Sequence, residues 1–410
     1  MDLQYSEEHE RFRTEVRTFL EGWPLEGDEA RLPAAEQELL FRNRAIERGF
    51  VYRDIPREYG GGGCEPDVLK DHIIREEFGR AEAPGSSSFQ GPAMLAPTLM
   101  EFGSEQQRKR FVPPTLREEI RWCQGYSEPG SGSDLASLQC SAVLEGQGEG
   151  ENEDAEWVIN GQKIWTSNAQ DSQWLFGLFR TETGASKHKG ISYLLVPLDQ
   201  PGIEVRPLKQ MTGGMDFSEV FFENARTAAD CIVGERGQGW QVSRATLKHE
   251  RNLIANPNMM RDHFDTVVEL ARSSQRNGRP AIEDPEIRQR LADIECQVRT
   301  SETSNMRQLS AAARGDELKC MLPMMMNKLY STDTVQRMMK LAYDLLGSDG
   351  LLAPNEQDLA GYAQGEGPTG WVEQWMFSLG PAIAGGATNI QLNIIGERGY
   401  GLPRDMRPSS

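Results

Sequence analysis

The feature that most constrains what this 410-residue chain can fold into is a change of hydrophobic period, from helical to strand-like and back. Four short runs are rich in β-branched and aromatic residues and bounded by Gly, Asn, Asp or Pro: Trp157-Val158-Ile159, Gly190 to Pro197, Ile203 to Leu208 and Ser218 to Glu223. Such runs read as strands. On the N-terminal side Phe12, Val16, Phe19 and Leu20 recur at helical steps while Glu7, Glu8, Glu10, Arg11 and Arg13 fill the opposite face; that is a surface helix with one buried stripe. After the breaker run Gly60 to Gly63 come two more such stretches, one with Val68, Leu69, Ile73, Ile74 and Phe78, the other running from Gly91 through Leu95, Leu99 and Phe102. The helical period returns from Gly239 on, over Trp240 to Arg272, Pro285 to Arg314, Leu322 to Leu346 and a last segment from Asn389. The expected fold is mostly α with a central β domain: a helical domain over 1–120, a β domain over 121–232 and a helical domain over 233–410. Gly146 to Asp154, acidic and Gly-rich, reads as a solvated hairpin tip. The Pro/Gly-rich stretch from Ala353 to Gly370 reads as an exposed loop.

Charge narrows the partners. The net charge of -18 repels a phosphate backbone, so nucleic acid is not expected. An anionic small ligand must then be met by Lys and Arg gathered locally. Cys64, Cys123, Cys140, Cys231, Cys296 and Cys320 lie far apart with no C-x-x-C pair. That spacing fits neither a zinc site nor a disulfide framework, so reduced thiols and no metal are expected. The start, MDLQYSEEHERFR, lacks an apolar run behind a basic stretch, and no apolar stretch approaches the ~18 to 20 residues of a membrane span. A soluble, cytoplasmic protein is expected.

Two segments carry more chemistry than a structural sheet requires: Cys123-Gln124-Gly125-Tyr126-Ser127-Glu128-Pro129-Gly130-Ser131-Gly132-Ser133-Asp134, and Asn160-Gly161-Gln162-Lys163-Ile164-Trp165-Thr166-Ser167-Asn168-Ala169. The first offers small residues and hydroxyls on a turn, where backbone N–H groups can approach a polar ring edge or a phosphate. The second sets a large aromatic beside two hydroxyl residues, suited to stacking on a flat ring while its neighbours bond the ring edge. Taken singly, each is equally well a Gly/Ser turn and a core Trp.

In this order and spacing the two segments closely resemble the flavin signatures of the acyl-CoA dehydrogenase family. The resemblance continues through the F-x-E-V-F-F strand at Phe217 to Phe222 and the tail from Ile390-Gln391 to Pro403-Arg404. It implies a helical N-terminal domain, a β-barrel-like middle domain and a C-terminal four-helix bundle. It also implies FAD as cofactor, with Gln124, Tyr126, Ser127 and Ser133 lining the ring and Trp165, Thr166 and Ser167 covering it. Ser133 would also touch the CoA chain. The implied reaction is α,β-dehydrogenation of an acyl-CoA to the trans-2-enoyl-CoA, with an electron-transferring flavoprotein as acceptor.

Such a reaction needs a base for the α proton and donors for the developing enolate oxygen. Most members of the family keep the base in a Y-E-G near the C-terminus, where this chain has Ile383-Ala384-Gly385-Gly386. A minority, similar to the isovaleryl-CoA and long-chain enzymes, carry it in an E-R pair on a helix, and this chain has Leu247-Lys248-His249-Glu250-Arg251. Glu250 is therefore the expected base. The Gly385 N–H is expected to donate to the thioester oxygen and Arg251 to position the carboxylate or the CoA end. Lys248 and His249 are candidate CoA contacts that a solvated helix face explains equally well. Gly385 and Gly386 leave room for a branched or ring-bearing acyl group. Met321, Met324, Met325 and Met326 are expected to fill a core rather than to line an acyl pocket.

The family pattern breaks at three places. Ser274, in Ser274-Gln275-Arg276-Asn277-Gly278, stands where an Arg usually reaches a neighbour's flavin pyrophosphate, and Arg276 replaces it only if the loop is reshaped. Asp344, in place of the Gln of Q-I-x-G-G-x-G, is expected to repel that pyrophosphate. Ala387 replaces the Thr of G-T-S-E. These departures fall mainly on elements that serve a partner's cofactor, and resemble those of heteromeric acyl-CoA dehydrogenases of bacterial steroid degradation. A homotetramer and an α2β2 assembly with a sister chain both remain open, as do a non-catalytic subunit and a flavin monooxygenase or oxidase on the same fold.

Overall fold

Ser6 opens the first helix: its hydroxyl accepts from His9 N, and Glu7, Glu8 and Glu10 place negative charge on the positive end of the helix dipole. The computed structural model describes residues 5–87, 89–146, 155–185, 187–254, 257–351 and 368–404, with backbone only at 250–254, 257, 258, 317–322, 368 and 369. The expected hairpin tip at 146–154 and the expected loop at 353–370 fall almost wholly outside these residues.

The chain forms two compact units, one of residues 4–208 and 215–250, the other of 1–3, 209–214 and 251–410. In the first, helices α1 (Glu7–Leu20), α2 (Ala34–Glu47), α3 (Val68–Arg80), α4 (Ala96–Phe102) and α5 (Glu105–Leu116) precede the strands. A π-helical turn, Gly91–Leu95, leads into α4. Phe19, Phe41, Phe50, Ile74 and Phe78 form an aromatic-rich core between α1, α2 and α3. Burial of each such side chain contributes about 1.5–3 kcal/mol. Beside that core, the buried Glu77 carboxylate accepts from Arg13, Arg17 and Arg80. Ser104 and Gln107 close a capping box at the start of α5, and Gln107 Nε2 goes on to donate to Asp230 O at 2.6 Å and Ile232 O at 2.7 Å. One side chain thereby caps a helix and ties it to the β region.

The strands are β1 (Trp122–Gly125), β2 (Ser141–Glu145), β3 (Glu156–Ser167), β4 (Trp174–Arg180), β5 (Ile191–Pro197), β6 (Ile203–Leu208), β7 (Phe217–Ala228) and β8 (Ile232–Val233). They form one sheet in the order β6-β7-β3-β2-β4-β5-β8, with β1 added to β4 in parallel. Thr227 Oγ1 on β7 donates to Leu195 O on β5 at 2.7 Å. Three strands separate these two along the sheet, so the sheet curls on itself as a barrel does. Trp157, Ile159, Phe179, Leu194, Val196, Val220 and Phe222 fill the core enclosed by the curl. Helix α6 (Gly239–Ile254) follows, its Val242, Trp240 and Leu247 packing with the core that includes Leu178 and Tyr193.

In the second unit α7 (Pro257–Ser273), the hairpin β9 (Gln275–Arg276) and β10 (Arg279–Pro280), α8 (Pro285–Ala312), α9 (Glu317–Leu345), α10 (Pro368–Ser378) and α11 (Thr388–Ile394) run in order. Met260, Phe264, Val267, Leu291, Ile294, Val298, Met338, Leu341 and Trp371 make α7, α8, α9 and α10 four helices around one core. The stretch read as helical from Trp240 to Arg272 carries α6 up to Ile254 and α7 from Pro257, with residues 255 and 256 outside the described ones. The Met cluster is not core: Met324 and Met325 are half-buried and Met326 is exposed, while the Met321 side chain lies outside the described residues. Among the described residues no helix is long and apolar enough to cross a membrane.

Candidate flavin and thioester site

The two chemistry-bearing segments lie side by side. Ile164 N donates to Ser127 O at 2.9 Å, and the buried Lys163 ammonium donates to Tyr126 O at 3.3 Å and to the Glu128 carboxylate at 2.8 Å. Glu128 and Ser131 exchange backbone hydrogen bonds of 2.9 and 3.0 Å, and the Ser131 hydroxyl donates to Asp134 O at 3.0 Å, so the turn is closed on itself. Ser133 stands exposed on it.

A bulge between Lys163 and Thr166 interrupts the pairing of β3 with β7. Trp165 sits in the bulge at φ +60°, a left-handed conformation that costs a bulky residue about 1–3 kcal/mol. Its indole is 59 % exposed and touches Phe217 edge-on. Thr166, by contrast, is fully buried. Among the described residues its Oγ1 has no hydrogen-bond partner, and neither has the buried Nε2 of Gln124. Buried polar atoms left unpaired cost about 1–3 kcal/mol each, and in native proteins they call for a ligand or another explanation. An outward indole with two unpaired polar atoms on the same pair of segments fits a flat ring with a hydrogen-bonding edge. Ser127 and Ser167 are half-buried. The Tyr126 ring is 5 % exposed and packs edge-on against Phe176 and Tyr193, so this residue offers mainly its backbone.

Local positive charge is present, in a place the motif reading missed. The β4–β5 connection carries Lys187, His188 and Lys189. Lys187 Nζ reaches Asp134 at 3.2 Å and Ser137 Oγ at 2.8 Å, while Arg180 donates to Lys187 O and Ala136 O, both at 2.8 Å. The Arg236 guanidinium pairs with Glu182, and the His188 ring lies 4.5 Å from that of Trp240. The K-H-K run at a turn was the available sequence signal. On α6, Lys248 is exposed and His249 is half-buried; burial, then the charge of Lys248, holds the His249 pKa below its ordinary value. Glu250 and Arg251 follow on the same helix, and their side chains lie outside the described residues.

In the second unit Gly385 and Gly386 have φ of +60° and +92°. Their carbonyls are held by side chains: Gln391 Nε2 donates to Gly385 O at 3.2 Å, and the buried Lys328 Nζ donates to Gly386 O at 2.8 Å and Pro381 O at 2.6 Å. Arg276 is engaged by Asp284 at 3.3 Å and Glu286 at 2.7 Å. Asp344 pairs with Arg290 at 2.9 Å and with Lys340, so its charge is offset within this unit.

Comparison with known proteins identifies the family. Family models for the acyl-CoA dehydrogenase N-terminal, middle and C-terminal domains match residues 6–119, 123–225 and 237–400. The chain belongs to the acyl-CoA dehydrogenase family and is an oxidoreductase. It is 38 % identical to acyl-CoA dehydrogenase IpdE1 of Mycobacterium tuberculosis, over 97 % of this chain and 99 % of that one. With the protein of the same name from Mycolicibacterium smegmatis the identity is 39 %, over 98 % and 99 %. Among solved structures it is similar to the Tcur3481-Tcur3483 steroid ACAD, with a TM-score of 0.75 and 28 % identity over 99 % of this chain and 100 % of that one. It is also similar to a chain of the ChsE4-ChsE5 complex from Mycobacterium tuberculosis, with a TM-score of 0.75 and 27 % identity over 98 % and 100 %.

Proposed function

We propose that this chain removes the α proton and β hydride of an acyl-CoA thioester in a cytoplasmic, FAD-dependent dehydrogenation that yields the trans-2-enoyl-CoA. The observation that carries the reading is the pair of joined segments with an outward Trp165 and unpaired polar atoms on Thr166 and Gln124. FAD held there supplies the acceptor for the β hydride. Gln124, Ser127, Thr166 and Ser167 bond the ring edge, the Tyr126 backbone supports it, and Trp165 covers a face. Ser133 meets the CoA chain, with Lys187, Lys189 and Lys248 as cations for its phosphates. Glu250 takes the α proton, the Gly385 N–H donates to the thioester oxygen, Gly386 leaves space for the acyl group, and Arg251 positions the Glu250 carboxylate. Reduced enzyme passes its electrons to an electron-transferring flavoprotein.

The relatives named for steroid work favour a ring-bearing acyl group, and the ChsE4-ChsE5 complex favours assembly with a sister chain. Ser274, with Arg276 already committed to Asp284 and Glu286, supports that assembly better than Asp344 does, since Arg290 and Lys340 offset the Asp344 charge. The test is Glu250→Gln in the assembled protein, assayed by single-turnover flavin bleaching with ring-bearing acyl-CoA thioesters. A rate loss of about 10²–10⁴-fold with FAD content intact is expected. An unchanged rate removes Glu250 as the base.

A further inference from the structure

Lys163 is fully buried within β3, where a charged side chain needs partners to offset its desolvation. Its ammonium has three donors, and three oxygens receive them: Glu128 Oε1 at 2.8 Å, Leu178 O at 2.7 Å and Tyr126 O at 3.3 Å. The Phe179 ring lies 5.2 Å from the nitrogen. The Glu128 carboxylate is equally committed, accepting from Gln139 N at 2.6 Å and Cys140 N at 2.9 Å. One ion pair thus joins the 126–128 turn, the entry to β2, the middle of β4 and the β3 residue just before the bulge. A buried ion pair is a poor source of stability compared with apolar packing, and its best-attested use is to specify register. Register matters acutely here, because a one-residue slip in a strand exchanges the residues on its two faces.

We propose that Lys163, through its pair with Glu128, is a positioning residue that sets the register of the bulge, and so decides that Trp165 faces out while Thr166 faces in. The pair supports the FAD reading given above but is separable from it. The charge-free double variant Glu128→Gln/Lys163→Met leaves a side-chain acceptor for the Cys140 N–H and no buried charge unpaired. Lys163→Met alone leaves the Glu128 carboxylate without its cation. Glu77→Gln serves as the control, since it removes another buried ion-paired carboxylate, in α3, that bonds to neither segment.

Two readouts on the full-length chain decide the matter. Hydrogen exchange without added FAD should quicken across 122–134 and 160–170 in both Lys163 variants and stay unchanged there in Glu77→Gln. FAD, titrated as the free cofactor, should bind the double variant on the order of tenfold or more weaker than wild type, and Glu77→Gln as wild type does. If the double variant folds with wild-type exchange over those residues, the positioning role is overturned. The same holds if Glu77→Gln weakens FAD as much as the double variant does. If wild type itself takes up no FAD, the flavin reading fails, and the exchange comparison still decides what Lys163 does.

Discussion

Replacing Thr166 by Val should move two states of the protein in opposite directions. The Thr166 side chain is fully buried and its hydroxyl has no partner among the described residues, so the flavin-free fold bears the desolvation of that hydroxyl, about 1–3 kcal/mol. Valine has nearly the same shape and no hydroxyl. Loss of the penalty should stabilise the flavin-free chain by about 1 kcal/mol, which for a domain of this kind raises the melting temperature by about 2 °C. In the proposed FAD complex that hydroxyl bonds the ring edge, and a lost hydrogen bond of about 0.5–1.5 kcal/mol would weaken binding by roughly 2- to 12-fold. The assay is a thermal melt without added FAD alongside a titration of the same preparation with FAD. A variant that melts lower than wild type without FAD refutes the unpaired-hydroxyl argument. A variant that binds FAD as tightly as wild type removes Thr166 from the ring edge.

Two further perturbations test the frame that carries the site. Burial raises the Glu77 carboxyl, but the hydrogen bonds from Arg17 and Arg13 and the charge of Arg80 outweigh it and bring the pKa down to about 2. The folded pKa lies below the unfolded one, so this contribution is present above pH ~4.5 and is lost as pH falls towards 2. Wild type should therefore lose about 2–3 kcal/mol of stability over that window in urea titrations, and Glu77→Gln much less; parallel acid limbs would contradict this. Gly161→Ala places a Cβ 2.8 Å from the Cys140 Cα at a φ of +137°, a backbone contact no rotamer relieves. It should cost about 2–4 kcal/mol and lower the melting point, and a wild-type melt would show the β3 bulge region to be more yielding than drawn.

The sequence made the helix–sheet–helix plan legible because each region keeps one hydrophobic period over many residues. It did not show β3 as one strand from Glu156 to Ser167, since two register shifts and Gly161 break the alternation that marks a strand. The same break hid the burial of Lys163, which lies at the centre of the two joined segments. The partners of Asp344 were hidden for a different reason: one of its two cations, Arg290, is distant in sequence, and no local pattern announces that pair. The Met cluster on α9 has helical spacing, but spacing alone does not say whether a neighbour covers it, and Met326 is exposed. The catalytic assignments at Glu250 and Gly385 and the ring-site assignments at Trp165 and Thr166 all rest on motif resemblance; the exposed Trp165 and buried Thr166 add support to the proposed ring site.

The most direct test of the central claim is the flavin content of this protein isolated from its own cells with whatever chain accompanies it. The account predicts FAD, released on denaturation and identified by mass, in stoichiometric or half-stoichiometric amount to this chain, with absorption that bleaches on anaerobic addition of a ring-bearing acyl-CoA. A folded assembly that carries no FAD, takes none up on titration and leaves the acyl-CoA unchanged would contradict it.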